Sequence, residues 1–250
     1  MRIVSLCPSN TEVCQYLGLE EQIVGVDDFS DLERTRLGPD LAIDMKKLAA
    51  LQPDMVLASL SVPGMEKNIE ALDQLGIPYI VTNPHSLDDI GHSIEQIAEA
   101  CRTDGREARS KWMRALQPYR SREWTDRVRL YWEWWPKPLF TPGGTNWLTE
   151  ISTLCGGINV FEDRLMPSLQ TDWETVLEKK PDVILLAWVG VMTSKVNIDI
   201  IRKRPGYEET PVFILEEKYF CRPSPNLLKG IETLDKLLQN KKTTLKRPLP

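Results

Sequence analysis

One short segment of this sequence occurs twice, and the repeat constrains the fold more than any other feature. Residues 48–58 and 176–187 each contain an amphipathic run, then a Pro-Asp pair, then a short apolar run. The pairs Pro53-Asp54 and Pro181-Asp182 lie 128 positions apart. Because proline cannot continue a helix and a short unbroken apolar run is typical of a buried parallel strand, each copy is predicted to be a helix followed by a strand.

The segments on either side of the two copies also agree with each other. Each copy follows a strand, a turn, a helix and a second strand, and each precedes one further strand. In the first copy the strands are predicted at Arg2–Leu6, Ile23–Val26 and 76–81, with the turn at Cys7–Asn10. In the second copy they are predicted at Val128–Trp134, Ile158–Phe161 and 210–215, with the turn at Pro142–Thr145. The chain is therefore predicted to be an α/β protein of two similar lobes, with parallel central sheets and a cleft between the lobes.

A helical segment is predicted between the two lobes. It begins with the sequence Ser86-Leu87-Asp88-Asp89, which resembles a capping box, and it carries apolar residues at helical spacing as far as Cys101. A second helix starting at Arg106 is predicted to end or kink at Pro118. We therefore expect an N-terminal lobe over residues 1–85, a helical connection with a backbone helix over 86–122, and a C-terminal lobe over 123–250.

Composition and charge exclude several classes of protein. A net charge of −5 without clustered Lys and Arg indicates no nucleic-acid-binding surface. No stretch approaches the roughly 18 apolar residues that a membrane span needs. Because the first strand is predicted to begin at Arg2, the sequence as written leaves no room for a signal peptide, and a cytoplasmic location is expected. The alternative is a periplasmic or extracellular protein from which a leader has been removed.

The cysteines are predicted to be free thiols. Cys7, Cys14, Cys101, Cys155 and Cys221 are an odd number and contain no CxxC pair. This pattern fits a reduced protein better than a disulfide framework.

The sequence lacks the common signatures of nucleotide-binding proteins, serine hydrolases and zinc proteases. It contains only two histidines, His85 and His92, so a histidine-rich metal site is not expected. Cys7 lies near a predicted helix N-terminus, which can activate a thiol, and the segment Gly143-Gly144-Thr145 could bind a phosphate through backbone N–H groups. A tight turn explains these glycines equally well. We therefore expect a non-catalytic protein with no metal and no intrinsic cofactor.

Aromatic residues are concentrated around the first strand of the second lobe. Those within residues 131–147 are Tyr131, Trp132, Trp134, Trp135, Phe140 and Trp147. Because side chains alternate along a strand, Trp132 and Trp134 are predicted on one face, and Tyr131 and Glu133 on the other. Most of these residues are expected in the core.

Other aromatic residues follow predicted strands at their carboxyl ends, where open parallel sheets bind ligands. They are Trp135, Phe140, Trp188, Tyr219 and Phe220. A cleft with such walls suits a large, flat, partly apolar ligand.

Several motifs together resemble one known protein family. They are Arg2–Glu12, Val24–Val26, Lys47–Asp54, Phe140–Gly143, Cys155–Phe161 and Arg222–Pro225, and they occur in this order over residues 2 to about 238. The family is the cobalamin-binding, or helical-backbone (class III), substrate-binding proteins of bacterial ABC importers. The resemblance implies two Rossmann-like lobes joined by a backbone helix, with a corrinoid, haem or iron-siderophore held in the cleft.

The resemblance also implies a surface that docks on a permease. Members of the family dock through one glutamate per lobe, and the matching residues here are Glu66 and Glu174. Both are predicted at helix starts, where the helix dipole favours a carboxylate even without a partner. Their expected equivalence across the repeat favours the docking role.

Some positions depart from the pattern of the family. Three tryptophans of the ligand cleft correspond here to Asp40, Val81 and Ser168, and a cleft tyrosine corresponds to Phe29, whereas Phe140 is matched.

Two further departures concern charge and disulfide bonding. Arg222 matches a ligand-contacting arginine, but the acidic residue four positions before it is Lys218 here. Cys155 matches a disulfide-bonded cysteine whose partner position falls near Asp235.

The predicted function is solute binding for an ABC importer, with cobalamin or a related corrinoid as the ligand and the permease as a partner of a monomeric chain. The predicted ligand-binding residues are Ser9, Phe29, Ser59, Ser61, Phe140, Trp188, Tyr219, Phe220 and Arg222. Haem would need an axial ligand, for which Tyr219 is the candidate, and an iron-siderophore would need several cations, of which only Arg222 is placed. A cytosolic enzyme that handles corrinoids or nucleotides, and a scaffold that binds only protein, are the remaining alternatives.

Overall fold

The computed structural model describes residues 1–62, 64–206 and 210–245, with the backbone alone for residues 241–245. The chain divides into two compact units. The first comprises Met1–Ala115 and Pro223–Pro225, and the second comprises Leu116–Arg222 and Asn226–Pro250. Each unit contains helices and a parallel sheet, which confirms the predicted α/β fold class.

The first unit is built on a parallel sheet. Its strands are β1 Ile3–Ser5, β2 Ile23–Val26, β3 Thr35–Arg36, β4 Met55–Ser59 and β5 Tyr79–Thr82. They lie in the order β3-β2-β1-β4-β5. Strand β1 is central, because Ile3 lies opposite both Ile23 of β2 and Met55 of β4. All of β1 is buried, as expected for the unbroken apolar run of a strand covered on both faces.

The helices that follow these strands in the chain are α1 Pro8–Tyr16, α2 Met45–Ala50, α3 Glu66–Leu75, α4 Leu87–Ala100 and α5 Arg106–Arg120. The predicted capping box is present at the start of α4, where Ser86 and Asp89 exchange side-chain and backbone hydrogen bonds of 3.0 Å. Helix α5 runs through Pro118 to Arg120, so the end predicted at Pro118 is two residues early. A proline this close to a helix end removes only one backbone donor near the terminus.

The boundary between the two units falls within α5, between Ala115 and Leu116. The division at residues 85 and 122 that the sequence suggests stays a prediction. The chain returns to the first unit at Pro223–Pro225, where the buried Ser224 hydroxyl donates to the buried carboxylate of Glu12 in α1.

The second unit contains two sheets. Its strands are β6 Val128–Glu133, β7 Trp135–Pro136, β8 Leu139–Pro142, β9 Gly157–Asn159, β10 Ser168–Thr171, β11 Val183–Leu186 and β12 Val212–Ile214. Its helices are α6 Trp147–Leu154, α7 Trp173–Glu178, α8 Asp199–Arg202 and α9 Leu227–Leu245. The main sheet is parallel in the order β12-β11-β6-β9, and a small antiparallel sheet has the order β10-β8-β7. The small sheet is not predicted from the sequence.

The repeat in the sequence is also a repeat in the structure. The order β2-β1-β4-β5 in the first unit matches β9-β6-β11-β12 in the second, and all of these strands are parallel. In each copy the aspartate of the Pro-Asp pair accepts a hydrogen bond from a backbone N–H at the start of the central strand. Asp54 accepts from Arg2 at 2.6 Å, and Asp182 accepts from Arg129 at 2.8 Å. Two residues that precede the pairs have the same left-handed φ of 46°, namely Gln52 and Lys180.

Side chains of β6 point to opposite faces of the sheet, as predicted. The Trp132 ring lies 5.5 Å from that of Phe220, while the Tyr131 ring lies 6.2 Å from that of Phe161 and 6.4 Å from that of Trp173. The sheet therefore buries an aromatic layer on each face. In the part of the chain that the structure describes, no helix combines the length and the hydropathy that crossing a membrane requires.

Candidate ligand-binding site

The carboxyl ends of the first sheet form a polar edge. Residues 6–11 follow β1, residues 27–30 follow β2 and residues 59–61 follow β4, and these three segments are called the first-unit edge below. Parallel strands present their carboxyl ends at one edge of a sheet, which is where such sheets bind ligands. The predicted residues on this edge are Ser9, Phe29, Ser59 and Ser61.

A chain of hydrogen bonds links the first-unit edge to a buried carboxylate. Thr11 Oγ1 donates to Ser5 Oγ at 2.8 Å and lies 2.8 Å from Ser30 Oγ. The Ser30 hydroxyl donates to the carboxylate of Asp27, which is completely buried. A buried carboxylate needs such partners, because without them its burial would be strongly unfavourable.

The loop after β2 holds Phe29 in a defined position. The Phe29 N–H donates to Asp27 Oδ2 at 2.7 Å, and Arg36 Nη1 donates to the carbonyls of Asp27 and Ser30 at 2.7 Å each. The Phe29 side chain is nevertheless 42% exposed. An exposed aromatic ring on a loop fixed from both sides is a preorganised contact surface.

The predicted serines of this edge differ in their accessibility. Ser9 and Ser59 are buried, whereas Ser61 is half-buried and its Oγ accepts from Ser59 Oγ at 2.9 Å. Cys7 Sγ lies 3.3 Å from Ser9 Oγ, and burial raises the pKa of the Cys7 thiol to about 11. The thiol is therefore neutral at physiological pH, and its place before α1 does not make it a nucleophile.

The carboxyl ends of the second main sheet form a corresponding edge. It consists of residues 134–135 after β6, 160–161 after β9, 187–188 after β11 and 215–222 after β12, called the second-unit edge below. The predicted residues on it are Trp188, Tyr219, Phe220 and Arg222.

A buried glutamate organises the second-unit edge. Glu133, the last residue of β6, is completely buried and binds Arg204 through two hydrogen bonds of 2.5 and 3.2 Å. The Trp188 indole N–H donates to it at 3.2 Å, and the Tyr131 hydroxyl donates at 3.3 Å. Burial raises the pKa of Glu133, and Arg204 opposes this by stabilising the carboxylate. Trp188 is thus only 6% exposed and is held by a charged group.

Arg222 is paired within its own segment. Its Nε and Nη2 atoms each lie 3.0 Å from Glu217 Oε2, and both side chains are only 13% exposed. The resemblance implies an acid at the position of Lys218, and in this structure the acid that pairs with Arg222 is Glu217, one residue earlier. The arginine charge is therefore already balanced.

Tyr219 and Phe220 occupy different environments although they are adjacent. Tyr219 is half-buried, and the Nζ atoms of Lys218 and Lys229 each lie 5.3 Å from its ring centre. Phe220 has no exposed surface, and its carbonyl accepts from the Trp147 indole at 2.8 Å. The sequence predicts a ligand contact for Phe220 because it follows a strand, but burial against Trp132 leaves its ring no free face. Its part in the site is to anchor the segment that carries Tyr219.

Phe140 lies on a hairpin next to the second-unit edge. It is opposite Trp135 in the β7–β8 pair and opposite Gln170 in the β8–β10 pair. Its carbonyl accepts from the Trp134 N–H at 2.9 Å, which ties the hairpin to the end of β6. Phe140 is half-buried and Trp135 is 42% exposed, so the hairpin presents aromatic surface.

The glycine turn does not form a phosphate site. The N–H groups of Gly143, Gly144 and Thr145 donate to the carbonyls of Pro167, Arg164 and Met166 at 3.2, 2.6 and 3.4 Å. A Cβ at position 143 would lie 2.2 Å from the Met166 carbonyl oxygen, and one at 144 would lie 2.4 Å from that of Glu162. The glycines permit this close backbone packing, and the donors that a phosphate would need are already used.

The predicted docking acids are both exposed at helix starts. Glu66 is the first residue of α3, and its Oε2 accepts from the Gly64 N–H at 2.7 Å. Glu174 is the second residue of α7. Pro63, which belongs to the sequence motif around Glu66, lies outside the described residues.

The two acids are not equivalent across the repeat, so that part of the prediction is wrong. Helix α7 corresponds to α2, because both precede a Pro-Asp turn and both are capped by an aspartate that accepts from the third helical N–H. The residue that corresponds to Glu174 is therefore Lys46, 128 positions earlier, whereas Glu66 begins a helix that follows β4.

Neither histidine is arranged to bind a metal. The His85 backbone N–H donates to Asp89, and His92 Nε2 lies 3.1 Å from Arg109 Nη2. No group of three or more His, Cys, Asp or Glu side chains within the described ranges could hold a metal ion.

Sequence reasoning missed four charged residues that shape the two edges, namely Asp27, Glu133, Arg204 and Glu217. The signal for the first two was available. Asp27 follows the apolar strand Ile23–Val26 directly, and Glu133 is an acid within the aromatic run of β6. A charged residue in such a position is buried only when it is paired. Arg204, the partner of Glu133, lies 71 positions away in the sequence, and no sequence pattern indicates this pairing.

Comparison with known proteins places the chain among binding proteins. The family model described as "Periplasmic binding protein" matches residues 3–214. The vitamin B12-binding protein of Vibrio parahaemolyticus is 27% identical over 238 residues, which cover 92% of this chain and 86% of that protein. The vitamin B12-binding protein of Yersinia pestis is 27% identical over 241 residues, which cover 93% of this chain and 84% of that protein.

Solved structures agree with this result. The periplasmic vitamin B12-binding protein of Vibrio cholerae matches with a TM-score of 0.77 and 27% identity, covering 98% of both chains. The periplasmic haem-binding protein of Roseiflexus sp. RS-1 matches with a TM-score of 0.80 and 21% identity, covering 94% of this chain and 96% of that one. The second match shows the fold alone. Because the family model matches most of its length, the chain belongs to the periplasmic binding protein family.

Proposed function

We propose that this chain binds a corrinoid of the cobalamin type and delivers it to an ABC importer. The observation that carries the proposal is the 27% identity to vitamin B12-binding proteins over 92% of the chain. A match of this length includes residues of both units. Membership of a family of binding proteins makes the chain a solute-binding protein and not an enzyme, as predicted.

The chemistry of the two edges supports a corrinoid. A corrin ring is large and flat with apolar faces, and its rim carries amide side chains. In the first unit, Phe29 has partly exposed aromatic surface that suits such a face, and the Ser61 hydroxyl suits a hydrogen bond to an amide. In the second unit, the half-buried Phe140 is also an aromatic surface that suits such a face. Trp188 and Phe220 are buried, so we do not expect either ring to contact the ligand directly.

The test is a fluorescence titration with cyanocobalamin. A bound corrin quenches nearby tryptophan, so emission should fall and saturate with micromolar or tighter affinity. Phe140→Ala should weaken binding by about 1–3 kcal/mol, the scale of one buried aromatic contact. Leu75→Ala is a matched control, because Leu75 is 47% exposed but lies at the end of α3 that leads into β5, away from the carboxyl ends. Equal affinities of both variants and the unmodified chain would contradict the proposed site.

Haem is a second candidate, and one observation favours it. The half-buried Tyr219 phenol lies beside the ammonium groups of Lys218 and Lys229, which could pair with haem carboxylates while the phenol binds iron. Binding of haemin with a Soret band that Tyr219→Phe removes would establish this reading. An iron-siderophore has less support, because the charge of Arg222 is balanced by Glu217.

The location that fits this function is outside the cytoplasm. The cytoplasmic location expected from the sequence finds no support among the relatives, whose family is named as periplasmic. We therefore propose the alternative of an exported protein. Cell fractionation of the natural source would test it, since recovery with cytoplasmic markers alone would contradict export.

The permease-docking role of Glu66 and Glu174 remains a proposal. Both carboxylates are exposed, as docking acids must be, and charges of this kind contribute mainly orientation and association rate. The structural repeat raises a specific question, because the counterpart of Glu174 is the exposed Lys46. One unit thus presents an acid and the other a base at equivalent helix starts.

Three charge reversals test whether the first unit docks through Glu66 or through the α2 position of Lys46. Corrinoid uptake through a permease should be lost in the Glu66→Lys, Glu174→Lys double variant, while the isolated protein keeps its ligand affinity. Lys46→Glu is the matched control and should leave uptake unchanged. If the double variant still supports uptake, docking through these acids is wrong. If Lys46→Glu increases uptake while Glu66→Lys has no effect, the first-unit contact is at the α2 position instead.

A further inference from the structure

The small sheet of the second unit brings together three side chains that the sequence does not connect. In this sheet Trp135 of β7 lies opposite Phe140 of β8, and Phe140 lies opposite Gln170 of β10. Residues directly opposite each other in an antiparallel pair have their side chains on the same face, with Cβ atoms about 4.5–5.5 Å apart. An indole, a phenyl ring and a carboxamide therefore follow one another across the three strands. These three residues are called the small-sheet row below.

The small-sheet row lies on the outer face of its sheet. Leu139, the neighbour of Phe140 along β8, is buried, and Leu169, the neighbour of Gln170 along β10, packs against the hydrophobic core of the second unit. Because side chains alternate along a strand, both leucines point away from the row. Phe140 is half-buried, and Trp135 and Gln170 are exposed. One face of the sheet is thus fixed to the core, and the face that carries the row is accessible.

Hydrogen bonds hold the members of the row in place. The Trp135 indole N–H donates to the Lys137 carbonyl at 3.0 Å, which restricts rotation of the ring. The bond from the Trp134 N–H to the Phe140 carbonyl ties the row to the second-unit edge. Strand β10 is paired with β8 along all four of its residues. A ligand that binds to such a surface has little protein motion to restrict.

Gln170 is the polar member of the row, and its carboxamide is available for a ligand. Within the part of the chain that the structure describes, no hydrogen bond joins this carboxamide to another side chain or to the backbone. A carboxamide has N–H donors and a carbonyl acceptor, so it can exchange two hydrogen bonds with a second carboxamide. A carboxylate only accepts, so it can use the N–H groups alone and places its charge near the glutamine oxygen. Gln170 is therefore suited to an amide and not to an acid.

We propose that the small-sheet row determines part of the ligand specificity, with Trp135 and Phe140 in contact with the flat face of the ligand and Gln170 bound to a carboxamide on its rim. This inference rests on the proposed corrinoid function, because a corrin combines an apolar face with amide side chains. All three members of the row are uncharged, which suits an uncharged rim. Gln170 thus selects an amidated corrinoid over one that carries a carboxylate at the same place.

The experiment compares cyanocobalamin with its monocarboxylic acids, in each of which one rim amide has been hydrolysed. Calorimetric titration of the full chain at low ionic strength gives the dissociation constant of each compound. We expect cyanocobalamin to bind about 3–10-fold more tightly than the acid whose carboxylate replaces the recognised amide, the range of one or two neutral hydrogen bonds. This comparison uses the unmodified chain and does not depend on whether a variant folds. Equal affinities for cyanocobalamin and all of its acids would overturn the proposal.

Gln170→Lys should reverse the preference. Lysine has donors only, so it forms a charge-assisted hydrogen bond with a carboxylate and offers no acceptor to an amide. The ratio of the two dissociation constants should change by about 10-fold, and the change should shrink at high salt because the position is exposed. Gln117→Lys is the matched control, since it adds the same charge at an exposed glutamine of α5 outside the row. Its ratio should equal that of the unmodified chain.

Trp135→Ala tests the aromatic part of the row. The face of the corrin is the same in the amide and in the acid, so both affinities should fall by one common factor of about 3–10. If the unmodified chain binds cyanocobalamin but Gln170→Lys leaves the ratio unchanged, or Trp135→Ala leaves both affinities unchanged, the proposal is wrong and the corrinoid function stands. If the unmodified chain binds no corrinoid, the proposed function fails and this inference fails with it.

Discussion

Replacing Arg204 by alanine is expected to destabilise the protein much more at neutral pH than at pH 5. Arg204 is the sole charged partner that the described contacts give to the completely buried Glu133. Without it the carboxylate keeps only the Trp188 and Tyr131 donors, at 3.2 and 3.3 Å. An unpaired buried charge of this kind takes up a proton instead of remaining ionised.

The size of the destabilisation follows from the free energy needed to protonate Glu133. A glutamate of ordinary pKa about 4.3 costs about 1.4 kcal/mol per pH unit to protonate above that pKa. This caps the electrostatic penalty at about 3.7 kcal/mol at pH 7 and about 1 kcal/mol at pH 5. Loss of the stacking between the Arg204 guanidinium and the Trp173 ring, whose centre is 4.7 Å away, adds about 1 kcal/mol at either pH.

The contribution of Glu133 to the free energy of unfolding changes with pH in one direction. The folded-state pKa of Glu133 is raised by burial, so at pH values between its unfolded and folded pKa the folded state binds more protons than the unfolded one. Stability therefore falls as the pH rises through that window, and the Arg204→Ala variant widens the window. Below the unfolded pKa the carboxyl is neutral in both states, and this contribution disappears.

Urea unfolding at pH 7 and pH 5 measures the effect. The loss caused by Arg204→Ala should shrink by about 2–3 kcal/mol between the two pH values. In a Glu133→Gln background, the effect of the same substitution should not depend on pH. Arg114→Ala is the control, since its ion pair with Glu107 is exposed and should contribute less than about 1 kcal/mol. An Arg204→Ala effect of equal size at both pH values would refute the reasoning.

Three further outcomes follow from the packing of the edges. Phe220→Ala should lower the free energy of unfolding by about 3–5 kcal/mol, as expected for an emptied core position; a loss below about 1 kcal/mol would show that the ring is not core. Gly143→Ala should lower the free energy of unfolding by about 1–3 kcal/mol in denaturant unfolding, because the new Cβ would lie 2.2 Å from the Met166 carbonyl oxygen. Unchanged stability would mean that the backbone of this turn can move away from the new Cβ at little cost. Asp27→Ala should weaken corrinoid binding as much as Phe29→Ala does, since it removes the carboxylate that holds the loop carrying Phe29. Full affinity of Asp27→Ala in calorimetry would exclude a role of Asp27 in positioning Phe29.

The repeat made most of the fold predictable. The Pro-Asp pairs, the unbroken apolar runs and the capping box at Ser86 are local signals, and each has one structural solution. The four equivalent strands of each main sheet are therefore where the sequence predicts them. The small sheet of β7, β8 and β10 was missed because it pairs strands of two to four residues, which are too short for a period to show.

Side-chain pairing was much less predictable than strand position. The sequence predicts ligand contacts for both Phe220 and Phe140, because both follow predicted strands at their carboxyl ends. Only the packing of Trp132 and Trp147 shows that the Phe220 ring is buried and the Phe140 ring is accessible. Helix starts at Glu66 and Glu174 look alike in sequence, although they occupy different places in the repeat. Long-range contacts decide such questions, and one sequence does not contain them.

The central claim is that the chain binds a corrinoid, and calorimetric titration of the purified protein with cyanocobalamin tests it most directly. Parallel titrations with haemin and with a ferric siderophore use the same protein and buffer. We predict saturable heat with cyanocobalamin at micromolar or tighter affinity, reduced in Phe140→Ala. No heat with any corrinoid, together with saturable binding of haemin or of the siderophore, would contradict the claim.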